Sequence, residues 1–367
     1  MPDQPTPSSD FITVDISDSF AQFMSTLPGS IAITTYQAGK VALIAHDGRQ
    51  VTLLLRQFDK PMGLAIQNQS LALATRHEIL LLANAPLLAP DYLESQPGRY
   101  DALFLPRTAY FTGDVNVHDL AFANNQLHLV NTRFGCLCTL DHNSNFLPYW
   151  KPPFISEIAP EDRCHLNGLA IVNNQPRYVT ALGETDTAGG WRPNKAAGGV
   201  IIDVQSNQII RRGLSMPHSP RFHDNRLWFL NSGAGELCFL NPPDNSITTV
   251  CALPGYLRGL AFVPPFALVG LCQIRDKHIF GNLPIQQRVN KLLCGLAVID
   301  LRTGCQAAFL EFTSGCQEIY DVQFLPNIRR PMILNREKEA SRQAFTTPAF
   351  SYWLRPGSEI RDPKSPA

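Results

Sequence analysis

The chain has 367 residues, enough for two ordinary domains or one large all-β domain. Charged residues make up 17% and the formal net charge is zero, so the basic excess of a nucleic-acid binder is missing. No run approaches the length of about 18 apolar residues that a membrane span needs. Neither a nucleic-acid nor a membrane partner is expected. Hydrophobic residues at 44% can build a sizeable core, and 29 Pro with 24 Gly imply many turns.

Residues 1–28 read as an N-terminal extension. The opening MPDQPTPSSDFITVDISDSF has neither a basic n-region nor an apolar h-region, so no secretory signal is expected and a cytoplasmic location is. SIAITTYQAGKVALIAHDGRQVTLLLRQF, residues 30–58, reads as the second, third and fourth strands of a unit that lacks its first.

A repeat then begins. PMGLAIQNQSLALATRHEILLLAN starts at Pro61, VHDLAFANNQLHLVNTRFGCLCTLD at Val117 and LNGLAIVNNQPRYVTALGE at Leu166. PHSPRFHDNRLWFLNSGAGELCFLN starts at Pro217, LRGLAFVPPFALVGLCQ at Leu257 and IYDVQFLPNIRRPMILN at Ile319. Each has a small or acidic residue, an apolar strand, a polar turn and a second apolar strand. The aligned positions are Gly63, Asp119, Gly168, Ser219, Gly259 and Asp321. A period of 40–50 with short strands predicts an all-β fold, a single six-bladed β-propeller, with five or seven blades as alternatives because the sixth unit matches most weakly. The last unit supplies a first strand and little more, so the N-terminal strands are expected to complete the C-terminal blade. The role of RPMILN stays ambiguous. Residues 29–340 form the predicted propeller and 341–367 a tail rich in Pro, Ser and charge. The nine cysteines, with no C-x-x-C pair, read as small buried hydrophobes in a reducing compartment.

In a propeller the first strands line a central channel. Their starts share one face with the turns between second and third strands. The residues just before the aligned positions are Met62, His118, Asn167, His218, Arg258 and Tyr320; His165 and Glu318 stand two residues further back. His118, His218, His165 and Asn167 are candidate ligands of one divalent metal ion, since imidazole is a common ligand and three ligands leave an open position. Asp119 and Asp321 replace glycines of other blades, so a turn-capping role is expected for them. Arg258 is a candidate for orienting an anionic group, with Tyr320 and Glu318 to move a proton. The turns add Arg133, Glu184, Trp191, Arg192 and Gln273 as substrate-binding candidates, and Arg275 beside the last. Two turns, 184–199 and 273–291, are long enough to act as lids.

TTYQAGK, VHDLAF, LNGLA, the GETD…GGW loop and MPHSPR together resemble an uncharacterised family of propeller-like proteins, common in cyanobacteria and proteobacteria and sometimes fused to tetratricopeptide repeats. The chain is also distantly similar to gluconolactonase-like and NHL-type six-bladed propellers. That second resemblance implies a divalent metal at the channel mouth, with Asn167 as the matching ligand; His118 and His218 depart from its pattern. The functional expectation is an enzyme, a metal-dependent hydrolase or oxidoreductase, acting on a small polar or peptide-borne substrate. The alternative is a non-catalytic scaffold that binds a ligand or protein.

Overall fold

Six sheets follow one another around a ring in a computed structural model that describes residues 11–273 and 281–355. Blade 1 takes its inner strand from the end of the chain, Asp321–Pro326, and its other three from the beginning: Gly29–Thr35, Lys40–His46 and Val51–Gln57. The seam is an antiparallel ladder in which Ile33 faces Val322 and Ile31 faces Phe324. The inner strands of blades 2 to 6 are Leu64–Gln67, Val117–Ala123, Leu166–Val172, Pro217–His223 and Tyr256–Val263. The predicted six-bladed ring and its mode of closure are both present.

Each blade is packed on two faces by its neighbours, which is why its strands are not amphipathic. Gly29–Thr35 is buried along its whole length, and so is Cys136–Thr139. The hairpins joining first and second strands are specified locally. Asn124–Asn125, Asn173–Asn174 and Asp224–Asn225 each hold two successive left-handed residues, the geometry of the tight turns that match strand twist. The tips of blades 3 and 4 also meet, with Asn174 Nδ2 donating to Asn124 Oδ1 at 2.7 Å.

Several features fall outside the repeat. Thr13–Ile16 pairs with the outer strand of blade 6, Cys305–Ser314. The helix Asp18–Thr26 follows, capped by Ser17, whose hydroxyl accepts from the Phe20 N–H at 3.2 Å. It buries Phe20 and Met24 among Ile31, Ile44, Leu310 and Phe312, across the seam between blades 6 and 1. The segment expected as an extension therefore locks the ring. RPMILN is resolved too: Pro331–Ile333 runs parallel to the outer strand of blade 2, Ala102–Phe111. In the tail, Ala344–Thr346 and Ser351–Trp353 form a hairpin, and the Trp353 indole donates to Leu88 O at 3.2 Å.

Around the channel the aligned positions alternate glycine with an acceptor. Asp119 Oδ2 accepts from the Leu169 N–H of blade 4 at 3.0 Å, and Asp321 Oδ2 from the Leu64 N–H of blade 2 at 2.9 Å. Ser219 Oγ accepts from the Gly259 N–H of blade 6 at 3.0 Å. The two carboxylates also bind their own following amides, Leu120 and Val322. They clasp blades as well as cap turns. At the glycines the next blade comes too close for a side chain: a Cβ on Gly168 would lie 2.2 Å from Pro220 Cδ. Arg221 closes the centre, donating to both oxygens of Asp119 at 2.7 and 3.2 Å, with Asp321 at 3.6 Å. Two buried carboxylates thus share one guanidinium. Burial, together with Asp119, holds the Asp321 carboxyl above its usual range, against the pull of Arg221.

Candidate active site at the upper channel mouth

Four of the six residues that head the inner strands are preceded, two positions earlier, by a residue in the left-handed region: Lys60, Asn116, His165 and Met216. Such backbone is costly for residues other than glycine and persists only where the surroundings enforce it. Here it turns carbonyls back onto imidazoles. His218 Nδ1 donates to Met216 O at 2.9 Å, and His118 Nδ1 lies 3.3 Å from Asn116 O.

The turns between second and third strands complete these contacts, so they share the face of the strand starts as expected. Thr132 Oγ1 donates to Leu166 O and so accepts from His118 Nδ1 at 2.8 Å. Ser232 and Tyr256 lie 3.2 and 3.3 Å from His218 Nδ1. His165 Nδ1 donates to Asp162 at 2.8 Å. All three imidazoles therefore carry their proton on Nδ1. Among the described residues no hydrogen bond reaches Nε2 of any of them, so each presents a bare lone pair.

The rings gather in one place. The His118 centroid is 4.7 Å from that of His165, 5.2 Å from Tyr320 and 6.4 Å from His218. The Arg258 guanidinium sits over the Tyr320 ring, 3.7 Å from its centroid, and meets Glu318 at 3.4 Å. Tyr320 stacks on Tyr36 at 5.5 Å. Its hydroxyl is buried and, among the described residues, has no partner at ordinary hydrogen-bond geometry, with the Arg258 guanidinium beside it.

Burial drives the electrostatics. It holds His118 well below the usual imidazole range, reinforced by His165, Arg258 and His218. His218 is lowered by burial and then by Arg258. Burial pushes the Tyr320 phenol up, against the opposing Arg258 charge. Arg258 stays cationic: burial opposes its charge, but Tyr320 and Glu318 outweigh that. At neutral pH the mouth thus holds a cation, two neutral imidazoles and a neutral phenol.

The remaining candidates divide. Trp191 is only 2% exposed; it packs on His165 at 4.6 Å and donates its indole N–H to Asp162 at 3.0 Å. Arg192 is half exposed, over Trp191 at 4.7 Å. The Gln273 N–H donates to Gln317 O at 2.9 Å, beside Glu318. Arg133 turns outward to Asp114, and Glu184 is held in two bonds by Arg212. Arg275 lies outside the described residues. Asn167 has both ends of its amide engaged, accepting from Thr180 Oγ1 at 2.6 Å and donating to Pro217 O at 3.0 Å. It ties blade 4 to blade 5.

Among the described residues, no three His, Cys, Asp or Glu side chains are grouped to hold an ion. The cysteines are all free thiols, mostly buried, and burial raises Cys164, Cys272 and Cys238 away from reactivity.

Asp162 and Arg163 fall between the repeat units, and Arg221 bonds to Asp119 across 102 residues, so the repeat marks none of these roles. Arg163, with a side chain 10% exposed, is held by Glu157, Glu161 and Asp186, each at 2.8 Å. No helix among the described residues is long and apolar enough to cross a membrane.

No curated protein matches the sequence. Among solved structures, a Bacteroides caccae protein of unknown function is similar at 10% identity and TM-score 0.49, covering 81% of this chain and 99% of its own. A nidogen/laminin complex gives 8% identity and TM-score 0.48, with 81% and 98% covered. Virginiamycin B lyase from Staphylococcus aureus gives 13% identity and TM-score 0.42, with 73% and 79% covered. A family model described as a domain of unknown function, DUF4915, matches residues 18–334, and the chain belongs to that family.

Proposed function

We propose that the upper mouth is the active site of an enzyme that moves a proton on a small substrate bearing a carboxylate or phosphate. One observation carries this reading: a buried guanidinium, a buried phenol and three imidazoles whose Nε2 atoms have no partner among the described residues gather at one channel mouth. Arg258 would hold the anionic group. Its described ion pair, to Glu318, is long at 3.4 Å, and a desolvated guanidinium suits an anion. A neutral imidazole would take the proton, and Tyr320 would donate a hydrogen bond to the oxygen where charge develops. Glu318 would keep Arg258 oriented.

The test is thermal stabilisation by a panel of probes: acetate, malonate, succinate, inorganic phosphate and glycerol phosphate. A probe that stabilises the wild type but not Arg258→Met supports the reading. No stabilisation by any probe, or equal stabilisation of both proteins, overturns it.

The Nδ1–H partners favour a second reading, because ligating imidazoles usually donate that proton to protein oxygens. An ion held by His118 and His218 would draw its other ligands from substrate or water. Elemental analysis of wild type beside His118→Ala and His218→Ala decides: stoichiometric metal lost from both variants supports it, and a metal-free protein after loading with zinc, iron and manganese removes it.

A further inference from the structure

The three imidazoles of the mouth are not equivalent. His118 and His218 donate Nδ1–H to neutral oxygens. His165 alone donates to a carboxylate, with Asp162 Oδ1 and Oδ2 at 2.8 and 3.1 Å. Asp162 and His165 are both left-handed, at φ of 51° and 53°. Two such residues three apart need enforcement, and the structure supplies it. Arg163 between them is pinned by three carboxylates, and the Trp191 indole donates to Asp162 Oδ2. The His165 ring also meets that of His118 edge to face. His165 is also the least buried of the three residues: His118 and His218 are buried and His165 is only partly so.

We propose that His165 is the proton-accepting catalytic residue of this mouth and Asp162 its positioning residue. The assignment rests on the reading of the mouth as an active site and says which group does the chemistry. A proton leaves a C–H or O–H of the substrate and binds His165 Nε2. The electron pair stays on the substrate, its charge settling on an oxygen near Tyr320. Asp162 keeps Nδ1 protonated, so that Nε2 is the free base, and stabilises the imidazolium that forms. The proton returns from Nε2 to another substrate atom or to the leaving group. His118 and His218, neutral and more deeply buried, shape the pocket wall.

Diethyl pyrocarbonate tests this without knowledge of the substrate. An unprotonated imidazole displaces ethyl carbonate from it, which decays to carbon dioxide and ethanol, and the ring keeps a carbethoxy group that mass spectrometry maps. In the full chain, His165 is expected to label fastest of the three. Asp162→Asn should slow it about tenfold, with Asp162→Glu restoring much of the rate. Trp191→Phe removes the indole hydrogen bond to Asp162, leaving the 3.5 Å Arg192 contact, and serves as the structural control; His165 should label there at least as fast as in wild type. If Asp162→Asn labels like wild type, if Trp191→Phe is slowed as much as Asp162→Asn, or if His118 or His218 outpaces His165 in wild type, the proposal fails. Protection by malonate, lost in Arg258→Met, reads separately on the active-site assignment. Labelling that depends on Asp162 supports the pair whether or not malonate protects.

Discussion

The two ends of the channel are made by the same six strands and share almost no chemistry. At the upper mouth the strands begin with His118, Asn167, His218, Arg258 and Tyr320. At the lower mouth they end around a cavity of about 490 Å³ rimmed by Phe122, Phe222, Phe262, Phe324, Ile66 and Ile171. Between them lies the Arg221 cluster with Asp119 and Asp321. Buried charge therefore occurs at two levels with two jobs. At the middle level each carboxylate is saturated by backbone amides and by Arg221, which is a structural arrangement. At the upper level donors and acceptors are left over, which is wasteful for stability and useful for a ligand. Mutation and pH should separate the two levels.

The largest effect is expected at the middle. Arg221→Leu leaves two buried carboxylates without a countercharge and should cost about 3–5 kcal/mol in urea unfolding. A loss below about 1 kcal/mol would mean that the cluster does not hold the ring together. Next comes acid. His118 and His218 are held below the ordinary imidazole value. Above about pH 6.5 neither the folded nor the unfolded state protonates them, and the stability is fully present. As pH falls below that, the unfolded chain binds protons that the folded chain refuses. Stability then drops by about 1.4 kcal/mol per pH unit for each histidine, until the folded-state value is passed. His118→Gln with His218→Gln should flatten that slope, and an unchanged slope would place the acid sensitivity elsewhere.

Gly168→Ala comes third, at about 1–3 kcal/mol, because its Cβ would meet the Pro220 ring of the next blade. Tyr320→Phe is smallest in stability and opposite in sign. Removing a buried hydroxyl that has no well-formed hydrogen bond among the described residues should leave the fold unchanged or about 1 kcal/mol more stable, while weakening binding of the probe anion. Destabilisation by that change would show the hydroxyl to be a structural group.

Much of this was legible in the sequence, for a physical reason. A propeller repeats its constraints, so Gly63, Asp119, Gly168, Ser219, Gly259 and Asp321 could be aligned, and the residues before them fell at the channel without any knowledge of contacts. Closure was legible because 30–58 carries three strands and the Ile319 unit carries one. Thr13–Ile16 and Pro331–Ile333 were not, because strands of three or four residues at a sheet edge are fixed by their partner. Asp162 was missed because its role depends on two left-handed residues and an indole 29 positions away. Asn167 was legible as a channel residue but not in its role, since only the structure shows its amide consumed by Thr180 and Pro217.

The most direct test of the division between mouths is a malonate titration followed by long-range ¹H–¹⁵N spectra of the histidines. His223 serves as the internal control, since it stacks on Phe262 at 4.2 Å, at the lower end of the same channel. Saturable movement of the His118, His165 and His218 signals, with His223 unmoved and the response abolished in Arg258→Met, is the predicted result. Movement of His223 alone, or of no histidine at all, would contradict an anion site at the upper mouth.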